Sequence, residues 1–169
     1  MFAEGSIAAV QNTSRRATEA LLAALVARMR AAGTAVVGVL AETPIEAGTC
    51  GAGILRNIAS AQPFSIRLSE PSSRTSCLLD SAGVVAAGRD VLDRIAESDL
   101  VVLSKFGKLE ASGSGLLAAF EAAARLRKPA LTSVSDRHRA AWKSFAPLAA
   151  ELQPDEAALL DWCRTVTGR

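Results

Sequence analysis

Short apolar runs alternate with helical patterns along most of the chain. Runs bounded by polar or glycine-bearing segments predict buried strands at residues 6–10, 34–40, 100–103, 129–134 and 148–152. Apolar residues at helical spacing predict helices at residues 18–30, 81–98, 116–127, 138–145 and 154–165. Strands that alternate with helices favour a mostly parallel sheet with helices on both faces, a three-layer α/β fold.

The predicted helix ends carry recognisable signals. Thr13 or Ser14 can cap the first helix, and Gly33 stands where the residue after a C-cap belongs. The last helix begins with Pro154 at its first position, followed by Asp155 and Glu156 near its positive end.

The region of about 41–80 breaks this alternation. It contains Pro44, Pro63 and Pro71, and its only apolar runs are short ones at 54–58 and 64–68. We therefore predict a small antiparallel excursion, a hairpin at the edge of the sheet. Neither an internal repeat nor a long linker interrupts the chain, so residues 1–169 are expected to form a single domain.

Composition narrows the function classes. Half of the 169 residues are apolar and the mean hydropathy is +0.24, which argues against disorder. Aromatic residues make up only 4%, and tyrosine is absent, so a platform for stacking nucleic-acid bases is disfavoured. Nineteen Lys and Arg against seventeen Asp and Glu give a net charge of +2, too balanced to predict nucleic-acid binding.

Histidine and cysteine usage exclude further classes. The single histidine, His138, rules out a His-rich metal centre within one chain. The three cysteines are widely spaced with no C-x-x-C motif, which suits free thiols in a reducing compartment. The sequence shows neither a leader-like N-terminus nor a membrane-spanning apolar run, and we expect a soluble cytoplasmic protein that does not bind membranes.

Ligands of parallel α/β sheets bind beyond the carboxyl ends of the strands, which directs attention to three loops. The first, residues 11–17, precedes a helix N-terminus and carries Arg15 and Arg16, so an anion is one possible occupant. It lacks the glycines and the lysine of the G-x-x-x-x-G-K-[ST] motif. An ordinary polar loop before a capped helix is the alternative.

The second loop, residues 104–115, is the most distinctive segment. Lys105 and Lys108 follow a buried strand, and Gly113 and Gly115 open the next helix. One interpretation places both lysines on an anionic ligand, with Glu110 orienting a lysine or a water molecule. A solvated loop that never meets a ligand is the other.

The third loop, residues 133–139, contains the only histidine. Asp136 is predicted to cap the following helix, while Arg137 and Arg139 could meet an anion. No motif supports catalysis by His138. 

The cysteines admit two interpretations. Cys50 and Cys77 could form a thiolate pair near Arg74, although packed or exposed bystander thiols fit the sequence better. Cys163 is most simply a core residue.

The order of these elements, together with D-L-V-V-L-S-K-F-G-K-L-E-A-S-G-S-G-L at residues 99–116, resembles the THEP-type nucleoside triphosphatases, which are P-loop proteins. The chain is more similar to a bacterial family of unknown function, often encoded near genes for molybdenum transport or molybdoenzymes. That family carries N-K-F-G-K-x-E-x-x-G-x-G where residues 104–115 stand here. A C-R-L-D-like segment corresponds to residues 77–80 and another cysteine to Cys50, and the likeness extends to L-L-D-W-C at 159–163.

The resemblance implies a P-loop-like fold with degenerate motifs. The P-loop lysine position falls on Thr18, the following hydroxyl position on Glu19, and the loop glycines on Asn12, Arg15 and Ala17. The acidic pair that holds Mg²⁺ in the related enzymes aligns with Ser104 and Lys105. Efficient hydrolysis of a nucleoside triphosphate is therefore not expected.

The leading hypothesis is a domain that binds a nucleotide or a small oxyanion such as molybdate or phosphate, linked to molybdenum transport or homeostasis. The expected ligand-binding residues lie in the first two loops: Asn12, Thr13, Ser14, Arg15, Arg16, Thr18, Ser104, Lys105, Lys108 and Glu110. Two alternatives stay open. One is a divergent nucleoside triphosphatase in which Arg15 or Lys108 replaces the missing lysine, and the other is a non-catalytic scaffold for a protein partner, including a homodimer.

Overall fold

The computed structural model describes residues 1–11, 14–43, 53–68 and 79–168. Its strands, in chain order, are β1 (Ile7–Gln11), β2 (Val36–Glu42), β3 (Ile54–Asn57), β4 (Pro63–Ser65), β5 (Leu100–Phe106), β6 (Ala130–Val134) and β7 (Ala150–Leu152). Its helices are α1 (Arg15–Ala31), α2 (Ser81–Asp90), α3 (Leu92–Ile95), α4 (Lys108–Ala111), α5 (Leu117–Arg125), α6 (Arg139–Phe145) and α7 (Glu156–Thr167).

The strands form one sheet in the order β4-β3-β2-β5-β6-β1-β7. The five strands from β2 to β7 in this order pair in parallel, while β3 and β4 add an antiparallel edge beside β2. The predicted mostly parallel sheet and its antiparallel excursion are both confirmed. Two apolar clusters pack against the sheet, and each lies on one of its faces because successive strand residues point in opposite directions.

Helices α1 and α7 cover one face through Leu22, Leu25 and Leu159, and the helices α2, α3, α5 and α6 cover the other. The chain therefore leaves β1 toward one face and leaves its neighbour β6 toward the opposite face. Neighbouring strands whose connections diverge in this way open a crevice at their carboxyl ends. The fold thus places the first, second and third loops of the sequence analysis along one edge of the sheet.

Several predicted boundaries are wrong. The first helix begins at Arg15 rather than at residue 18. The helix predicted at 81–98 is two helices, α2 and α3, and at their junction the Arg94 N–H donates to the Val91 carbonyl in a tighter, 3-10-type turn. The last helix begins at Glu156, and Asp155 caps it by accepting a hydrogen bond from the Ala158 N–H, so Pro154 precedes the cap instead of opening the helix.

The helix signals around α1 are partly confirmed. Ser14 stands at the N-cap position, but its side chain makes no capping hydrogen bond. Thr13 lies outside the described residues. Gly33 follows the C-cap Ala32 with a φ of +86°, the left-handed conformation that ends many helices.

The largest departure is in β5, which does not end at residue 103 but continues to Phe106. Leu103 pairs with Thr132 and Phe106 with Val134, so Ser104 and Lys105 together lie opposite the single residue Ser133. This β-bulge returns Phe106 to the face that Leu103 occupies, where its ring packs on Trp142 with 5.1 Å between centroids. The segment after it, predicted as loop, forms the short helix α4.

The Thr132 hydroxyl closes the bulge. It donates to the Leu103 carbonyl at 2.6 Å and accepts from the Phe106 N–H at 3.1 Å. Thr132 is fully buried, so water cannot replace either bond.

We expect Thr132→Val to destabilise the protein by about 1–3 kcal/mol, because valine keeps the shape but leaves a buried N–H and a buried C=O without their partner. Urea denaturation measures the change. Thr165→Val is the matched control, since Thr165 is exposed and its hydroxyl bonds only to the Asp161 carbonyl within α7; its effect should stay within about 0.5 kcal/mol. Equal losses in the two variants would contradict this role for Thr132.

Candidate functional site

A pocket lies between the first turns of α1 and the carboxyl ends of β2, β5 and β6. The space inside it, including the part that is open to solvent, is about 260 Å³. The residues that line it are Arg15, Thr18, Glu19, Ala41, Ser104, Lys105 and Ser133. Four residues expected from the sequence to bind a ligand are thus brought together: Arg15, Thr18, Ser104 and Lys105. We call this set of seven residues the α1 pocket.

Two serine side chains form the buried part of the α1 pocket. Ser104 is 4% exposed and Ser133 is 2% exposed, and no hydrogen bond from either hydroxyl occurs among the described residues. Neither Oγ atom is fully shielded from solvent, because among the described residues the shielded side-chain atoms without a hydrogen-bond partner are Thr34 Oγ1 and Trp162 Nε1. These two are therefore available to a ligand in the pocket.

Two cationic side chains stand around these serines. Arg15 opens α1, whose free backbone N–H groups and dipole favour an anion near its N-terminus. The exposed Lys105 comes from the bulge of β5. Together with the serines, they form a set of hydrogen-bond donors with two positive charges, which suits an oxyanion.

The remaining polar residues of the α1 pocket are Thr18 and Glu19. Thr18 is buried, and its hydroxyl donates to the Ser14 carbonyl at 2.9 Å. The Glu19 carboxylate accepts hydrogen bonds from the N–H and the hydroxyl of Thr43, at 3.2 and 3.0 Å. These bonds tie the start of α1 to the end of β2 and hold a carboxylate at the pocket wall.

The other predicted residues lie elsewhere. Arg16 and Lys108 are exposed and do not line the α1 pocket, and Ser14 is exposed at the N-cap. Asn12 and Thr13 lie outside the described residues. The ligand-binding role of all five residues stays a prediction.

Glu110 has a different position from the one expected. It is 6% exposed, and its two carboxylate oxygens accept hydrogen bonds from the backbone N–H groups of Gly107 at 2.9 Å and Leu116 at 2.8 Å. Burial raises the pKa of Glu110, while these N–H groups and the charge of Lys105 act in the opposite direction. The side chain links the two ends of the segment between β5 and α5, at Gly107 and Leu116, and does not line the α1 pocket.

Gly115 completes this closure. Its φ is +65°, and a Cβ atom there would overlap Glu110 Oε1 and lie 2.8 Å from the Leu109 Cβ. Only glycine fits both the backbone conformation and the carboxylate beside it. The glycine-rich segment therefore serves to seat Glu110 and to fix the backbone that follows Lys105.

The third loop lies next to Lys105. The Ser135 hydroxyl and His138 Nδ1 are 3.2 Å apart. Partial burial lowers the pKa of His138 below its ordinary value of 6.5, and the positive charges of Lys105 and Arg137 lower it further. Lys105 thus acts electrostatically on both the second and the third loop.

The predicted capping role of Asp136 is wrong. Asp136 lies in a short 3-10 turn, and its carboxylate accepts hydrogen bonds from Gln11 at 3.2 Å and from Arg139 at 2.8 Å. Arg139 is therefore paired within the protein. A second pocket of about 350 Å³ beside it is lined by residues of β1, β6, α6 and β7, with Trp142 and Leu152 among its apolar side chains.

The three cysteines can be placed only in part. Cys163 is a free thiol buried in the core, as predicted, and burial raises its pKa to about 12. Cys50 and Cys77, like Arg74, lie outside the described residues.

The sequence predicts neither Ser133, the first residue of the third loop, nor Glu19, which aligns with the P-loop hydroxyl position, as a ligand-binding residue, yet both line the α1 pocket. Ser133 belongs to no motif, although a serine near the end of a buried strand at the favoured edge was a usable signal. Among the described residues, no group of three or more His, Cys, Asp or Glu side chains could hold a metal ion, and no helix has the length and apolarity to cross a bilayer.

Fold and pocket together define an α/β protein with a P-loop NTPase-like sheet and a cationic, serine-lined pocket at its carboxyl edge. The chain belongs to the family described as "Protein of unknown function (DUF2478)", whose model matches residues 7–162. The likeness to THEP-type nucleoside triphosphatases stays a prediction.

Comparison with curated proteins finds a relative in Bradyrhizobium diazoefficiens, "Molybdenum import ATP-binding protein ModC 2". The two are 28% identical over 166 residues, which cover 96% of this chain but only 18% of that protein's length. No solved structure matches the chain.

We expect Lys105→Ala to raise the pKa of His138, because it removes a positive charge that opposes protonation of the imidazole. Lys108→Ala is the control, since the charges that lower the pKa of His138 are those of Lys105 and Arg137. An NMR titration measures both variants without ambiguity because the chain has one histidine. An unchanged pKa in Lys105→Ala would show that this ammonium group does not face the third loop.

Proposed function

We propose that this protein binds a small oxyanion, or the phosphate groups of a nucleotide, in the α1 pocket and does not hydrolyse nucleotides efficiently. The observation that carries the proposal is that Arg15 and Lys105 line one pocket with Ser104 and Ser133, two buried residues whose hydroxyls make no hydrogen bond among the described residues. Charge-assisted hydrogen bonds of this kind are the strong contacts of oxyanion sites. The proposal leaves Arg16, Lys108 and Glu110 outside the pocket.

The absence of efficient hydrolysis rests on the residue types at the aligned positions. Phosphoryl transfer by P-loop enzymes needs a lysine on the terminal phosphates and a carboxylate that holds Mg²⁺. Here Thr18 occupies the aligned lysine position with its hydroxyl bonded to Ser14, while Ser104 and Lys105 occupy the aligned acidic pair. These residues can bind phosphate groups but supply neither element of the hydrolytic machinery.

The size of the α1 pocket favours a small anion. The α1 pocket is small and partly open to solvent, so a ligand of drug size must extend beyond it. A nucleotide would place its phosphates there and its remaining groups outside.

The name of the curated relative supports a connection with molybdenum. The named relative is a molybdenum import ATP-binding protein, and we propose that this protein acts in molybdenum transport or homeostasis as a regulatory or accessory anion binder.

Isothermal titration calorimetry with phosphate, molybdate, ATP and GTP, with and without Mg²⁺, tests the proposal. We expect at least one of these ligands to bind. The double variant Arg15→Ala/Lys105→Ala should lose about tenfold or more in affinity, the scale of lost hydrogen bonds to charged groups, and its binding should depend less on salt.

The matched control is Arg16→Ala/Lys108→Ala, which removes the same two charges from exposed positions outside the α1 pocket. It should retain affinity within a few-fold. If none of the ligands binds, or if both double variants lose affinity equally, the α1 pocket is not the site. Release of phosphate from ATP or GTP by the purified protein would instead support the divergent nucleoside triphosphatase.

A further inference from the structure

The α1 pocket contains a carboxylate among its hydrogen-bond donors. Glu19 lines the pocket with Arg15 and Lys105, and its partner Thr43 is not one of the lining residues. Glu19 stands four residues after Arg15 in α1, yet the two form no ion pair among the described residues. A purely cationic pocket would bind any oxyanion, so the carboxylate adds a selective element.

The Glu19 carboxylate has hydrogen-bond acceptor sites that are not used within the protein. Each of its two oxygens accepts one hydrogen bond from Thr43, and a carboxylate has about four acceptor sites. The remaining sites can only accept, so a ligand oxygen beside them must carry a proton. An oxyanion without a proton would instead place its own negative charge against the carboxylate.

We propose that Glu19 makes the α1 pocket selective for oxyanions that retain a proton at neutral pH, such as hydrogen phosphate, over those that retain none, such as sulfate and molybdate. In the bound state, the serine hydroxyls and the two cations donate to the unprotonated oxygens. The protonated oxygen donates its O–H to Glu19. This inference rests on the proposed function and names the ligand class of the same pocket.

The same chemistry limits how a nucleotide would bind. A terminal phosphate monoester carries a charge of about −1.5 to −2 at pH 7, with a second pKa of about 6. Such a group presents a proton to Glu19 only when it is singly ionised. Inorganic phosphate, which keeps a proton throughout the neutral range, is therefore the better match.

A set of four ions separates the effect of the proton from the effect of size. Phosphate and sulfate are similar in size, as are arsenate and molybdate, and only phosphate and arsenate carry a proton. Calorimetry at pH 7 in the presence of a chelator should show phosphate and arsenate binding about tenfold or more tightly than sulfate and molybdate, the factor expected for one hydrogen bond to a charged group.

Glu19→Gln tests the residue itself. Its amide can donate to an unprotonated oxygen, so the preference for protonated ions should fall toward onefold, chiefly through tighter binding of sulfate and molybdate. Glu19→Asp keeps the charge and should keep the preference at lower affinity. Thermal unfolding of each variant verifies that it folds.

The outcomes separate this inference from the proposed function. If sulfate or molybdate binds the wild type as tightly as phosphate does, the selectivity is refuted while anion binding stands. If phosphate binds only when Mg²⁺ replaces the chelator, or if Glu19→Gln changes all four affinities equally, Glu19 does not accept a hydrogen bond from a protonated ligand oxygen. If neither these ions nor nucleotides bind, the proposed function fails first.

Discussion

The hydroxyl of Thr132 is the contact on which the candidate site depends. By bonding to both ends of the bulge in β5, it allows Ser104 and Lys105 to occupy the space opposite Ser133. Without the extra residue, the alternation of the strand would place Phe106 on the face opposite Leu103. The bulge places both side chains: the Phe106 ring lies in the core, and Lys105 is exposed at the edge of the α1 pocket.

The segment after the bulge makes this arrangement rigid. Phe106 packs within a cluster of aromatic rings, 5.5 Å from Phe145 and 5.9 Å from Phe120 between centroids. The Glu110 carboxylate accepts hydrogen bonds from the N–H of Gly107, the residue after Phe106, and from the N–H of Leu116. Burying this carboxylate is costly, as its raised pKa indicates, and the two N–H bonds offset part of that cost. Gly115 and Glu110 of the motif thus hold the backbone beside the α1 pocket, while the residues that line the pocket are Ser104 and Lys105.

Much of the architecture was predictable from the sequence, because burial on both faces leaves continuous apolar runs in parallel strands. The rule for carboxyl ends also predicts that the first two loops meet; of their basic residues, Arg15 and Lys105 line the α1 pocket and Arg16 and Lys108 do not. The bulge was not predictable, since it depends on Thr132, which is distant in sequence and carries no motif. The role of Glu110 was not predictable for a different reason: its partners Gly107 and Leu116 are near in sequence, but a charged residue in a glycine-rich loop is ordinarily solvent-exposed.

NMR chemical-shift mapping tests most directly whether the α1 pocket is the anion site. The backbone amide signals of uniformly labelled protein are followed while inorganic phosphate is added. We expect the largest changes to fall on the amide signals of Arg15, Ser104, Lys105 and Ser133 and to saturate together. Saturable changes confined to another part of the protein, such as the second pocket beside Trp142, with these four signals unmoved, would contradict it.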